Sequence, residues 1–375
     1  MWIHRTEEIA CNQSKISSLL SANNAFAESV LPEFLVSLSN TSMKTAQDAN
    51  FRPREFSILD EDSEDLDTLE PQIFAQPVRP NLKPIRIESN NTKTPIAAID
   101  VSSIKIGDTD RGLLCALRGV IVWRIDGSYV YLRCGPLTFH IGNDSQDIMN
   151  KQLGLSSTSP FELSSSLESR IMNRLRNTME RWMQREVCSS NSNSIILFDG
   201  SLTAGTPDNP VRYLREILQE ARRNSDVVLA LSKETRLEIG RERLISLLDE
   251  YSFPCLADID SCVFSQFPSS PVKLMGHVSV VKLASGGFSF RLDIDREVSR
   301  ERGLDAVSRL AGNDVIHQGY PETLRLAHIL SAFTANEVIG VQRFVTRTHG
   351  LTICPKLNLR RQLFGPFGTS RDDYL

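Results

Sequence analysis

The chain has 375 residues, 41% of them hydrophobic and 23% charged, which is typical of a soluble globular protein with one large domain or two ordinary ones. No apolar run approaches the roughly 20 residues that cross a bilayer, and the first residues lack a charged segment followed by an apolar one, so we expect neither a membrane span nor a signal peptide. The net charge of −4 neither indicates nor excludes a nucleic-acid partner, because DNA binding depends on local clusters of Lys and Arg.

The seven cysteines are scattered along the chain, and no two are spaced as CxxC. An odd number without that spacing argues against a disulfide framework and against a structural zinc site. We therefore expect reduced thiols in a cytoplasmic protein.

The first 90 residues are predicted to form a helical N-terminal extension that ends in a linker. Residues 1–50 carry apolar side chains at mixed spacings of 3 and 4, which favours helix. Residues 60–70 are strongly acidic, and the segment after them contains prolines, which favour extended geometry, at Pro71, Pro77, Pro80 and Pro84. We place a domain boundary near residue 90, between an extension of residues 1–90 and a main domain of residues 91–375.

The main domain opens with three predicted strands. Residues 95–100 are a short apolar run that ends in an acid, as a buried strand does. Residues 113–125 and 129–141 follow as two further strands, joined by the hairpin signal Asp126-Gly127. A long helix with an apolar stripe is predicted from about residue 165 to 188.

Strands and helices then alternate. Residues 194–200 predict a buried strand, 210–223 a helix, 226–232 a strand and 234–251 a helix. Three antiparallel strands followed by parallel additions across helices indicate an α/β fold, namely an RNase H-like mixed sheet flanked by helices.

The last third adds a predicted hairpin and a helix. Residues 277–283 and 288–294 form the hairpin, which turns at Ser285-Gly286-Gly287, and the helix runs from 322 to about 335.

Two aspartates, Asp100 and Asp199, end short apolar strands. Neighbouring parallel strands would bring their carboxylates close together, and two close carboxylates stay ionised only with a cation between them. Oxygen ligands of this kind suit Mg²⁺ or Mn²⁺. The alternative is that each acid only caps the turn after its strand.

The long helix offers a third carboxylate, Glu180 or Glu186. Helical periodicity places Glu186 on the sheet-facing side with Met183 and leaves Glu180 at the border of the stripe. Near the C-terminus, His328 shares a helical face with apolar residues, where it is either a core histidine or a metal ligand or proton carrier.

Four ordered motifs make the chain resemble the NurA nucleases over roughly residues 95–350. The motifs are Ile99-Asp100-Val101-Ser102, Phe198-Asp199-Gly200-Ser201-Leu202, Leu231-Ser232-Lys233, and Tyr320-Pro321 with His328 seven residues after the proline. One departure is Val101, where the family often has glycine, and it affects the local turn more than the aspartate before it.

The resemblance implies a Mn²⁺- or Mg²⁺-dependent exo- and endonuclease that acts on single- and double-stranded DNA. It also implies a homodimer that works with the hexameric ATPase HerA in the resection of DNA ends during double-strand break repair.

The resemblance also assigns roles to residues. Asp100, Asp199 and His328 become metal ligands, and Tyr320 orients the scissile phosphate or a water. The position of the family's helical glutamate favours Glu180, against the periodicity. Lys233 matches a family lysine and is either a phosphate contact or an ion-pair lysine.

Two other functions fit parts of the sequence. A non-catalytic RNase H-like adaptor would bind an ATPase ring or DNA without chemistry. An aspartic protease is suggested by Asp100-Val101-Ser102 and Asp199-Gly200-Ser201, but it would need two similar β-rich lobes, and the intervening helices argue against it.

Overall fold

A computed structural model describes residues 32–55, 74–75, 83–142, 149, 167–206, 209–233, 238–239, 242–260 and 272–354. The acidic stretch 60–70 and residues 1–31 of the predicted extension lie outside these ranges. Among the described residues, no helix is both long and apolar enough to span a membrane.

Four short elements precede residue 91 in the described part of the chain. They are helix α1 (Glu33–Thr45) and strands β1 (Asn50–Pro53), β2 (Phe74–Ala75) and β3 (Ile85–Arg86). β1 and β3 both join the large sheet described below. The boundary near residue 90 stays a prediction, and elements on both sides of it share this sheet.

A meander of three long antiparallel strands forms the first half of the core. They are β4 (Ile96–Thr109), β5 (Gly112–Ile125) and β6 (Ser128–Gly142). Asp126 and Gly127 join β5 to β6 with φ angles of 49° and 83°, the left-handed geometry of a tight hairpin turn. The predicted hairpin is therefore confirmed.

Parallel strands then extend the sheet across helices. Helix α2 (Leu167–Ser190) leads to β7 (Ile195–Asp199), and helix α3 (Val211–Arg223) leads to β9 (Val227–Ser232), with the short β8 (Thr203–Ala204) between them. β7 lies parallel to β4, and β9 lies parallel to β7. The order β6-β5-β4-β7-β9 confirms the predicted mixed sheet flanked by helices.

The segment after β9 departs from prediction. The helix predicted over residues 234–251 is wrong, because the described residues there form β10 (Glu238–Ile239), β11 (Glu242–Arg243) and a 3₁₀ turn at Leu244–Leu248. β10 pairs with both β11 and β2, so tertiary pairing overrides the local pattern. Gly240 between the two strands also disfavours helix.

Antiparallel strands continue the sheet beyond β9. They are β12 (Cys255–Asp258), β14 (Gly276–Lys282) and β15 (Phe290–Asp295), and the short β13 (Lys273–Leu274) pairs with β8. The sheet order from β9 is β15-β14-β12-β3, and the β14–β15 hairpin is as predicted.

Three helices follow β15. They are α4 (Arg300–Asn313), α5 (Glu322–Ser331) and α6 (Ala335–His349), with the short strands β16 (Ile316–His317), β17 (Tyr320–Pro321) and β18 (Thr352–Ile353) around them. The helix predicted from 322 to about 335 ends earlier, at Ser331. Thr334 starts a new helix there, since its side chain and that of Glu337 form a capping box.

Helices cover both faces of the sheet. Apolar residues of α1, α2 and α3 pack with one face, and those of α4 and α5 pack with the other. Four residues of the predicted α2 stripe, Ile171, Leu175, Met179 and Met183, are fully buried, whereas Trp182 is only partly buried. Along β4, Ala97 and Ile99 face α2, so Asp100 between Ile99 and Val101 belongs to the α5 face.

A buried ion pair ties β15 to the loop that follows β7. The Arg291 Nε and Nη2 atoms donate hydrogen bonds of 2.7 and 2.8 Å to the two carboxylate oxygens of Asp293. Asp293 Oδ2 also accepts a 3.0 Å hydrogen bond from the backbone N–H of Leu202, three residues after Asp199. This pair therefore fixes the chain next to the end of β7.

Asp293→Ala is expected to lower the free energy of unfolding by about 3–5 kcal/mol, because it removes the carboxylate partner of a buried guanidinium. Urea denaturation followed by circular dichroism measures this change. Glu216→Ala is the control, because it breaks the exposed Arg212–Glu216 pair on α3 and is expected to leave the denaturation midpoint unchanged. A midpoint shift for Asp293→Ala that is no larger than that of the control would contradict this role of the pair.

Candidate metal centre

Two aspartates lie side by side where the pairing of β4 with β7 ends. The parallel register pairs Ile99 with Phe198, so the next residues along the two strands are Asp100 and Asp199. Strand alternation turns both carboxylates toward the α5 face of the sheet. The sequence expectation that these two acids meet agrees with this arrangement.

Helix α5 brings a histidine to the same place. His328 Nδ1 lies 3.3 Å from Asp100 Oδ2. One ligand atom from each of Asp100, Asp199 and His328 can be chosen so that all three lie within 4.8 Å of one another. The three residues that the motifs singled out as metal ligands therefore converge.

The start of α5 is fixed by a buried carboxylate. Asp314 accepts hydrogen bonds from the backbone N–H groups of Thr323 and Val315, at 3.0 and 2.9 Å, and from the hydroxyl of Tyr129 at 2.8 Å. An acid that binds the free N–H groups of a helix start also compensates the positive end of the helix dipole. Asp314 thereby holds α5, and with it His328, against the β5–β6 hairpin.

Two serines of the site were not singled out by the sequence analysis. Ser331, fully buried on α5, donates a 2.5 Å hydrogen bond to Asp100 Oδ2, and its hydroxyl lies 2.8 Å from that of Ser102. Spacing carried a signal for both, because Ser331 is one helical turn after His328 and Ser102 shares the strand face of Asp100. Ser331 therefore orients the Asp100 carboxylate.

A lysine and a tyrosine line the other side of the centre. Lys233, which follows β9, forms a 3.0 Å ion pair with Asp199 Oδ2, and its ammonium lies 5.6 Å from the centre of the Tyr320 ring. Burial raises the pKa of Tyr320 well above its ordinary range, and the negative charges of Asp199 and Asp100 raise it further. Tyr320 thus keeps its proton and can donate a hydrogen bond.

The two aspartates have opposite pKa shifts. Burial raises the pKa of Asp199, and the negative charge of Asp100 adds to this effect while Lys233 counteracts it. Burial acts on Asp100 in the same direction, but hydrogen bonds from His328 and Ser331 outweigh it and lower the pKa of Asp100. Negative charge is therefore concentrated on Asp100 and disfavoured on Asp199.

The helical glutamate is the remaining predicted ligand. Glu180 accepts a 2.8 Å hydrogen bond from Gln184, and burial raises its pKa, with Asp100 and Asp199 among the charges that raise it further. α2 packs on the opposite face of the sheet from α5. Glu186 lies six residues further along α2, about 9 Å along the helix axis.

The chemistry of the donor set fits a hard divalent cation. Two carboxylates and one imidazole are ligands that Mn²⁺ accepts, and carboxylate oxygens are those that Mg²⁺ prefers. A cation between Asp100 and Asp199 would also remove the repulsion from Asp100, which adds to the effect of burial on the pKa of Asp199. The residues present thus fit a Mn²⁺ or Mg²⁺ centre.

Comparisons with solved structures show similarity to nucleases. The chain is similar to the NurA nuclease from Sulfolobus solfataricus, at 16% identity over 71% of this chain and 88% of that one, with a TM-score of 0.45. It is also similar to a second NurA structure, at 11% identity over 71% and 91% of the two chains, with a TM-score of 0.38. Endonuclease V from Streptomyces avermitilis matches at 10% identity over 70% and 88% of the chains, with a TM-score of 0.33.

Sequence comparison gives the family. No curated protein matches the chain. The profile of the NurA domain matches residues 94–333, which is more than half of the chain and includes Asp100, Asp199, Lys233, Tyr320 and His328. The chain therefore belongs to the NurA family.

Proposed function

We propose that this NurA-family protein is a divalent-metal-dependent nuclease that hydrolyses the phosphodiester backbone of DNA. The observation that carries the proposal is the convergence of Asp100, Asp199 and His328 within 4.8 Å, on three different elements of the fold. Membership of the NurA family, shown by the NurA domain over residues 94–333, supports it. We include both exo- and endonuclease action, on single- and double-stranded DNA.

In this proposal Asp100, Asp199 and His328 hold one or two Mn²⁺ or Mg²⁺ ions. Glu180 lies outside the group whose ligand atoms are within 4.8 Å, and we propose it as a further ligand because the charges of both aspartates act on it. The bound metal supplies Lewis-acid activation of a water and neutralises the negative charge that develops on the phosphate. Ser331 fixes the Asp100 carboxylate in the rotamer that faces the centre. Such hydrogen bonds to a ligand set its orientation and basicity.

Lys233 and Tyr320 act on the substrate in this proposal. The Lys233 ammonium, 3.0 Å from Asp199, offers a positive charge to a DNA phosphate at the edge of the centre. Tyr320 keeps its proton because of its raised pKa, so its hydroxyl can donate to a phosphate oxygen or to the attacking water. Phosphate contacts of this kind position the strand without reading its sequence.

The cellular role that we propose is the resection of DNA ends in double-strand break repair, by a cytoplasmic homodimer that works with a HerA-like hexameric ATPase. With a net charge of −4, the chain has little overall attraction for DNA, so a translocating ring would supply the retention. We expect the tagged protein to co-purify with such a hexamer and DNA cleavage to be stimulated by it. A protein that holds DNA tightly alone and ignores the hexamer would contradict this role.

Asp100→Ala and Asp199→Ala are each expected to abolish Mn²⁺-dependent degradation of labelled DNA, because each removes a metal ligand. The control is Asp108→Ala, which changes an exposed aspartate at the far end of β4 that pairs only locally with Lys105. Circular dichroism should show that all three variants fold. Undiminished cleavage by both ligand variants would remove the proposed mechanism.

The two candidate glutamates are separated by a matched pair of variants. Glu180→Gln is expected to weaken Mn²⁺ binding by about 10-fold or more and to lower cleavage, because the charges of the two aspartates act on this residue. Glu186→Gln, further along the same helix, is expected to leave both unchanged. Calorimetric titration with Mn²⁺ measures binding. Loss in the Glu186 variant alone would show that Glu186 is the ligand.

A further inference from the structure

A cleft of about 340 Å³ opens beside the metal centre. Its walls include Lys233 and His328 of the centre, the aromatic residues Phe288, Phe290 and Tyr320, and the cation Arg325. Its size is at the lower end of the range of roughly 300–1,000 Å³ that is typical of ligand pockets. The cleft is continuous with the centre, because two of its walls are residues of the centre.

Phe288 stands at the rim of this cleft with 66% of its surface exposed. Burial of a phenylalanine side chain stabilises a fold by roughly 1.5–3 kcal/mol. The exposed Phe288 side chain does not provide most of this stabilisation. Local packing does not explain its position. Aromatic rings exposed in this way can serve as stacking platforms for nucleic-acid bases.

The backbone that carries Phe288 is fixed by a second turn. Its N–H donates a 2.9 Å hydrogen bond to the carbonyl of Gln318, in the turn between β16 and β17. A Cβ on Gly287 would lie 2.8 Å from the backbone nitrogen of Gly319, and one on Gly319 would lie 2.5 Å from the carbonyl oxygen of Phe288. Only glycines permit this close approach. The two turns therefore hold Phe288 at a fixed position over the cleft.

Both aromatic rings and cations line the cleft. Phe290 and Tyr320 pack edge to face, with ring centres 5.2 Å apart. The cations Lys233 and Arg325 lie on the same walls, where they pair with Asp199 and Glu322. Aromatic platforms for bases, combined with cations that follow the phosphates, are the means by which proteins bind single-stranded nucleic acid.

We propose that this cleft binds an unpaired nucleotide of the DNA strand next to the bond that is cut, with its base stacked on Phe288. Lys233 and Arg325 then hold the adjacent phosphates, and the strand continues toward Asp100, Asp199 and His328. The inference rests on the proposed nuclease function and specifies its substrate, because a base must leave the duplex stack before it can enter the cleft. Single strands and frayed ends are therefore the preferred substrates, and a closed duplex is a poor one.

The test measures base stacking directly, without cleavage. A fluorescein-labelled short oligodeoxythymidylate and the same strand built from abasic residues are titrated with the full-length protein in EDTA, and fluorescence anisotropy gives both dissociation constants. For the wild type we expect about 5- to 100-fold weaker binding of the abasic strand, as is typical of the loss of one to two stacking contacts. Phe288→Ala should bind both strands with the same low affinity, and Phe288→Tyr should restore the preference.

The matched control is Phe344→Ala, which removes a phenylalanine of similar exposure, 53%, on α6 outside the cleft. It should behave as the wild type. If Phe288→Ala keeps the preference for the strand with bases, or if the wild type shows no preference or no binding, the subsite is refuted.

Cleavage in Mn²⁺ separates this inference from the proposed function. If the wild type cleaves single strands and Phe288→Ala slows this cleavage by a factor similar to its loss of binding affinity, the result supports both the subsite and the nuclease function. Equal cleavage by the wild type and Phe288→Ala overturns the subsite and leaves the nuclease in place. A wild type that cleaves no DNA overturns the nuclease function, whatever strand preference the binding titration shows.

Discussion

The arrangement of the site follows from the repulsion between two carboxylates that the sheet forces together. The register of β4 and β7 places Asp100 next to Asp199. Burial raises the pKa of Asp199, Glu180 and Tyr320, and the negative charge of Asp100 raises each of them further. Positive charge and hydrogen-bond donors around the pair offset this repulsion: Lys233 contacts Asp199, while His328 and Ser331 contact Asp100. A divalent cation is the species that would relieve the repulsion most completely.

The fold holds these residues through buried polar contacts outside the centre. Asp314 binds the start of α5, and the Arg291–Asp293 pair binds the loop after Asp199, so two of the three converging elements are fixed by hydrogen bonds as well as by packing. A buried polar group destabilises the fold when it lacks a hydrogen-bond partner, whereas a fully hydrogen-bonded group favours one specific arrangement of the chain. Their position beside the centre indicates that geometry, which a metal site requires to within a fraction of an ångström, is the property they secure.

The sequence predicted what depends on local pattern. The strand that ends in Asp199, the turn at Gly127 and most of the α2 stripe are set by periodicity and turn chemistry, and they agree with the structure. β4, in contrast, continues past its predicted end at Asp100 to Thr109. Two features depend instead on distant partners: the strand pairing that replaces the helix predicted over 234–251 involves β2, and Phe288 is placed by its contact with Gly319. Helix α4 was also not predicted, although its N-cap residue, Ser299, is a local helix-start signal. The choice between Glu180 and Glu186 also depends on tertiary packing. Periodicity shows which residues share a helix face, but it does not show which of them lies near the site.

The arrangement also bears on the alternative of a non-catalytic adaptor. An adaptor needs surfaces for its partners, and a buried group of acids contributes nothing to such a surface while its desolvation opposes folding. In this chain the acids instead lie next to a cleft that Lys233 and His328 line, and Lys233 takes part in both, since it pairs with Asp199 and also lines the cleft. A residue shared in this way couples the charge of the centre to whatever the cleft binds.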